Sequence, residues 1–173
     1  ELSAVDDKLD KTDVRVGDLR VEGNDSNGNT VETNPVTLHV EVQNLIEIKK
    51  VEIDKDGAIS SISAGSTYSA TAGEEFDVKV TIKNPSANNS DITLDEVTVK
   101  VDIDSLGIDE DDSVDDIESG DEKTVEVNVE LDSDDSGTFD VTVEASGDDE
   151  YGGAHGVIFE FKIDTQAAEE EVI

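Results

Sequence analysis

Phe76-Asp77-Val78-Lys79-Val80-Thr81-Ile82 alternates apolar and polar residues without a break, and three later stretches repeat the pattern. Their apolar parities read Val97-Val99-Val101-Ile103, Val125-Val127-Val129-Leu131 and Phe139-Val141-Val143-Ala145. Between them sit Thr98, Lys100 and Asp102, then Glu126, Asn128 and Glu130, then Asp140, Thr142 and Glu144. A period of two buries one face of a strand and wets the other. β-Branched residues dominate the buried parity, which suits a pleated, half-buried surface. Four such strands with turn residues between them predict an all-β chain folded as an antiparallel β-sandwich.

Upstream, Val14-Val16 and Leu19-Val21 fall on opposite parities across Gly17, which predicts a strand with a bulge. The run Gly23 to Asn29 is a turn by composition, and Val36-Leu38-Val40-Val42 returns as a second strand behind Pro35. Residues 1–44 therefore predict a β-hairpin or strand-donating arm, opened by a polar, charged segment at residues 1–12. Two strands alone are marginal in water, so this hairpin must pack on something.

Downstream, Ile46-Ile48 and Val51-Ile53 form a strand with a parity change, Asp54 to Gly57 turns the chain, and Ile59 to Gly65 reads as a connection. Asn84-Pro85 ends the strand begun at Phe76. Ile92 and Leu94 lie on the other parity from Val97, which places a bulge at Asp95 and Glu96. Residues 106–122 read as a strongly acidic loop, Gly147 to Gly156 as a turn, and Val157 to Ile163 as the last strand. The expected division is a hairpin at 1–44, a sandwich at 45–165 and a flexible tail at 166–173.

The chain has 173 residues and a net charge of −34. That charge excludes direct binding to nucleic-acid phosphates, which needs clustered Lys and Arg, and argues against adsorption to anionic lipid. It fits a high-salt solvent that screens self-repulsion, carboxylate sites for divalent cations, or a solvated surface that keeps an exported protein soluble. Cysteine is absent, so disulfides and thiolate metal sites are ruled out. No stretch approaches the roughly 20 apolar residues of a membrane span. The chain opens on Glu1 and has no Met, as a mature chain cut from an exported precursor would.

Two acidic stretches are candidate calcium sites. Glu52, Asp54 and Asp56 precede Gly57 with the alternate spacing of a calcium-binding loop, but Ser63 stands where the closing bidentate Glu is needed. A charged turn between strands explains the same residues. Asp109, Asp111 and Asp112 open the acidic loop that runs to Glu122, which either gathers carboxylates on one ion or is simply solvated. Asp132 to Gly137 reads mainly as a hairpin turn. Glycoside hydrolysis needs paired carboxylates across a cleft, yet the acids here fall on strand exteriors and loops, and aromatics make up 3% of the chain. His39 lies on the polar parity of its strand and His155 in a Gly-rich turn, neither beside the partners of a triad or zinc site. No catalytic centre is expected. Asn24 and Asn88 begin N-glycosylation acceptor patterns in predicted loops.

Leu45 to Ile53, Ala72 to Asn84, Ile117 to Val125 and Gly137 to Val143 together resemble the immunoglobulin-like domains of the cell-adhesion-related (CARDB) and archaeal S-layer-like surface protein group. The shared features are the Gly73-Glu74 turn into a strand ending at Lys83-Asn84, the Gly120-Asp121 turn into the next long strand, and the Gly137-Thr138-Phe139-x-Val141-Thr142-Val143 strand. The resemblance covers about residues 45 to 164 and implies an immunoglobulin-like sandwich in an extracellular scaffold protein, with no catalytic residues to carry over. The expected function is an exported, non-enzymatic subunit of a cell-surface filament or layer. Its expected partners are copies of itself, joined by β-strand addition. The alternative is a calcium-dependent adhesion or ligand-binding module, with Ca2+ as the expected ion.

Overall fold

The computed structural model describes residues 13–41, 44–86 and 92–167. The arm expected at residues 1–12 and most of the expected tail lie outside the described residues. Two compact units divide the chain, one ending at Asn44 and the other beginning at Leu45.

The first unit holds β1 (Asp13–Leu19), β2 (Glu22–Asn24), β3 (Thr30–Glu32) and β4 (Val36–Glu41). β1 pairs with β4 and β2 with β3, both antiparallel, so the unit is one long interrupted hairpin. The β1 register slips between Arg15 and Gly17, as the parity change there requires. Among the residues of this unit with described burial, 17–37 and 44, none is buried.

The second unit holds β5 (Glu47–Lys55), β6 (Ala58–Ile62), β7 (Thr67–Thr71), β8 (Glu75–Lys83), β9 (Leu94–Ile103), β10 (Ile108–Val114), β11 (Glu122–Glu130), β12 (Gly137–Asp149) and β13 (Ala154–Gln166), with one 3-10 turn at Asp104–Leu106. A five-stranded sheet runs β10-β9-β12-β13-β7 and a four-stranded sheet runs β11-β8-β5-β6. Every pairing is antiparallel except β7 beside β13. This is an immunoglobulin-like arrangement, with β6 added at the edge of the smaller sheet.

The predicted parities form the core. Val80, Ile82, Val97, Val99, Val101, Ile103, Val129, Val141 and Val143 are wholly buried between the sheets. Each parity change in the sequence is a bulge. Lys49 is the extra residue where β5 crosses Ile82 and Thr81 of β8, and Asp95 and Glu96 face a single residue of β12. At that second bulge the backbones approach so closely that a Cβ on Gly147 would stand 2.8 Å from the Glu96 carbonyl oxygen. Only glycine fits there.

Four expectations are corrected. Residues 58–62 form β6 rather than a connection, and residues 108–114 form the edge strand β10 rather than part of a loop. The turn at Asp132–Gly137 carries the chain from one sheet to the other rather than closing a hairpin within one. The last strand runs from Ala154 to Gln166 rather than from Val157 to Ile163, taking in the first residue of the expected tail.

Thr165 packs inward on β13, and its hydroxyl is buried without a hydrogen-bond partner. An unpaired buried hydroxyl costs roughly 1 kcal/mol or more, so Thr165→Val should stabilise by about that amount and raise Tm by about 2–4 °C. Calorimetry showing a lower midpoint would mean the hydroxyl finds a partner.

Candidate functional site

The candidate calcium residues of the first acidic stretch lie on β5 and the tight turn after it. Lys55 pairs with Ala58, leaving a two-residue turn in which Asp56 (φ 52°) and Gly57 (φ 85°) are both left-handed. This is the geometry that matches hairpin twist, and Asp-Gly is its preferred sequence. Glu52 and Asp54 alternate onto the outer face of the sheet, where lysines meet them. Lys50 Nζ lies 2.7 Å from Glu52, while Lys79 lies 2.9 Å from Asp54 and 3.1 Å from Glu126 on β11. The Gly57 N–H also donates to Asp54, at 2.9 Å. Lys79 above all holds the Asp54 carboxyl below the usual range; burial opposes it, and the Gly57 N–H adds a lesser pull downward. Asp54 and Glu126 in turn raise the Lys79 pKa. Glu52 and Asp54 are thus engaged in a carboxylate–lysine ladder across three strands.

The second candidate set is spread over both faces of β10. Asp109 and Asp111 share one parity, and Lys100 of β9 sits 2.9 Å from Asp109. Asp112 and Glu110 take the other parity, in register with the buried Val99 and Val101, yet remain exposed at the rim. Among the described residues no three His, Asp or Glu side chains gather where one ion could be held. Asn24 is the exposed last residue of β2, not a loop residue. Asn88 lies outside the described residues.

Three polar clusters tie the sandwich together, and none was expected. Asn84 is fully buried at one end of the sandwich. Its Nδ2 donates to the carbonyls of Ile92 (2.9 Å) and Ile117 (3.0 Å), and its Oδ1 accepts from the Ser86 N–H at 3.1 Å and from the Ser86 hydroxyl. Its own carbonyl accepts from the Gly120 N–H at 3.0 Å. The Lys-Asn strand end and the Gly-Asp turn, both features of the family resemblance, therefore meet here. At the other end Glu74, 8% exposed, accepts from the Thr71 N–H at 2.8 Å and pairs with Lys55 at 2.7 Å. These residues border an open groove of about 730 Å³ whose walls include Asp54, Asp56, Asp77 and Asn128.

The third cluster joins His155 to Asp149. His155 lies in β13 rather than in the turn before it, and is buried. Its Nδ1 accepts the Leu45 N–H at 3.3 Å, so Nε2 carries the proton it shares with Asp149 Oδ2 at 3.1 Å. Burial works against the charged form of Asp149. The N–H groups of Gly153 (2.8 Å) and Tyr151 (2.9 Å), with His155, outweigh it and hold the carboxyl below its usual range. The cluster is a clamp on the start of the sandwich, and nothing in it presents a nucleophile. A polar side chain next to a proline-terminated strand, and an Asp and a His six residues apart, were the signals available in sequence.

The flanks of the sandwich differ sharply in charge. β10 and β11 edge one flank, and β10 carries Asp109, Glu110, Asp111 and Asp112 in succession. β6 and β7 edge the other, joined through Ser63–Ser66, and the whole run Gly57 to Gly73 contains no charged residue. It is the longest uncharged run in the chain. Exposed large apolar side chains are Leu19, Val21, Val31 and Val36 in the hairpin unit, with Ile59, Tyr151 and Ile158 in the sandwich.

Among the described residues no helix is long and apolar enough to cross a membrane. No family model and no curated protein matches the sequence. Among solved structures the chain is similar to the C-terminal domain of Wzt, with a TM-score of 0.48 and 9% identity over 90% of this chain and 81% of that one.

Proposed function

We propose that this chain is an exported, non-enzymatic structural subunit of a cell-surface filament or layer, assembled by β-strand addition between copies. The observation that carries this reading is the hairpin unit. No residue with described burial in it is buried, and four of the exposed large apolar side chains belong to it. Such a hairpin is marginal alone and gains stability by adding its strands to another sheet, where main-chain hydrogen bonds give strength and alternate side chains give register. The sandwich unit has open edges at β6, β7, β10 and β11 among the described residues.

The test compares the full chain with a variant lacking residues 1–44, both imaged by negative-stain electron microscopy at high salt. Filaments or sheets from the full chain, and dispersed folded particles from the variant, are expected. A full chain that stays monomeric at every concentration overturns the proposal, as does a truncated chain that still assembles.

A further inference from the structure

Resting on the strand-addition reading, we infer that the accepting edge is β6 and that the added strand is β4 of a second copy. Four edges are open among the described residues, and charge separates them. On β10, Glu110 and Asp112 stand on the parity of the buried Val101 and Val99, so a strand laid beside them would enclose two carboxylates with no cation to meet them, Asp112 accepting only the Ser113 N–H at 2.8 Å. Inward-pointing charge of this kind guards an edge against pairing. β11 presents Glu122, Glu126 and Glu130 along its outer parity, the first two met by Lys83 and Lys79 of β8, so this edge, unlike β6, is charged along its length. β7 is uncharged and as long as β6, but it runs parallel to β13, with Ala70 buried and Tyr68 turned onto Phe76, ring centroids 5.9 Å apart, so its inward parity is already filled.

β6 carries none of these guards. Its sequence Ala58-Ile59-Ser60-Ser61-Ile62 is free of charge, and all but Ile62 are exposed. Ser60 and Ile62 are in register with the buried Ile53 and Val51 of β5, so the core-facing parity of the edge stands open. The segment of the hairpin unit that matches it is Thr33 to Val40, also free of formal charge, which contains most of β4. Val36, Leu38 and Val40 take one parity of β4 and Thr37 and His39 the other. Laid beside β6, the apolar parity extends the sandwich core over Ser60 and Ile62, while Thr37 and His39 join Ile59 and Ser61 outside. Two chains of net charge −34 can approach most cheaply where neither presents a charge. The lengths agree, with six residues in β4 and five in β6.

The experiment uses the full chain at high salt. Ser60→Glu puts on β6 the kind of inward carboxylate that guards β10. It should weaken self-association at least tenfold by sedimentation while leaving the thermal midpoint of the sandwich in place. Because the chain has no cysteine, Ser61→Cys copies mixed with Thr37→Cys copies report the contact directly. A disulfide-linked pair should form in the mixture and not in either variant alone. Assembly that survives Ser60→Glu and yields no mixed disulfide overturns the β4–β6 contact while leaving strand addition standing. A wild-type chain that never assembles overturns both.

Discussion

Asn84→Asp is expected to cost about 4 kcal/mol or more at neutral pH, whereas Asn84→Ala should cost about 2–3 kcal/mol. The alanine variant leaves the Ser86 N–H without its acceptor, while the Ser86 hydroxyl keeps the Ser119 hydroxyl oxygen at 3.0 Å. It does not orphan the two carbonyls, because Ile92 O still accepts from the Ser119 hydroxyl at 2.8 Å and Ile117 O from the Leu94 N–H at 3.0 Å. The aspartate variant is nearly isosteric but turns a donor into an acceptor. A carboxylate oxygen then faces both carbonyl oxygens in a wholly buried site. That unfavourable field raises the folded-state pKa of the new Asp above its unfolded value. The group therefore favours folding most below the unfolded pKa, and its penalty appears as pH rises through the folded value. Thermal midpoints across pH give the test. The Asp variant should approach the Ala variant near about pH 4 and fall well below it at pH 7. Equal midpoints for the two variants at pH 7 would show that Asn84 is not the tie between these loops.

The sandwich was legible in sequence wherever one face of a strand is buried, because burial writes a period of two into the residues. The parity changes around Gly17, Ile48 and Asp95 marked bulges for the same reason: an inserted residue moves every later side chain to the other face. β10 was illegible because an edge strand with both faces wet has no period, and four successive carboxylates resemble a solvated loop. β6 was missed on the same ground, its Ser-rich exposed residues giving no alternation. β7 depends on parallel pairing with β13, almost a hundred positions away in the chain, which local pattern does not encode. The candidate sites divide similarly. Acidic residues were visible, but the lysines that meet Glu52, Asp54 and Asp109 include neighbours brought in by pairing, Lys79 from β8 and Lys100 from β9. The uncharged run from Gly57 to Gly73 lay in plain view, and acquires meaning once it edges both sheets on one flank.

Stability should depend on salt and pH in a way set by competition between general repulsion and a few specific carboxylates. A chain of net charge −34 repels itself most at low ionic strength, where the screening length is long. Raising KCl from about 0.01 M to about 1 M shortens that length roughly tenfold and should lift Tm by about 10 °C, on the order of 3 kcal/mol for a chain of this size. Acid acts twice. As pH falls toward roughly 5, the first protons taken up by the carboxylate population reduce repulsion, so Tm at low salt should rise. Asp54 and Asp149 work in the opposite sense. Their folded pKa values lie below the usual one, so their contribution is present above the unfolded pKa and is lost as pH drops through the folded value. Below about pH 4 that loss should dominate and Tm should fall. The two effects separate by salt: in about 1 M KCl the rise toward pH 5 should vanish, because repulsion is already screened, while the acid-side fall should persist for the partly buried Asp149 clamp. Asp149→Asn should remove part of that acid-side fall and leave the salt dependence intact. A Tm that is flat in salt at pH 7 would mean that the charges are spaced widely enough to be harmless. The acidic surface would then be explained by solubility alone, and the uncharged flank at β6 and β7 would lose its advantage as the place where copies meet.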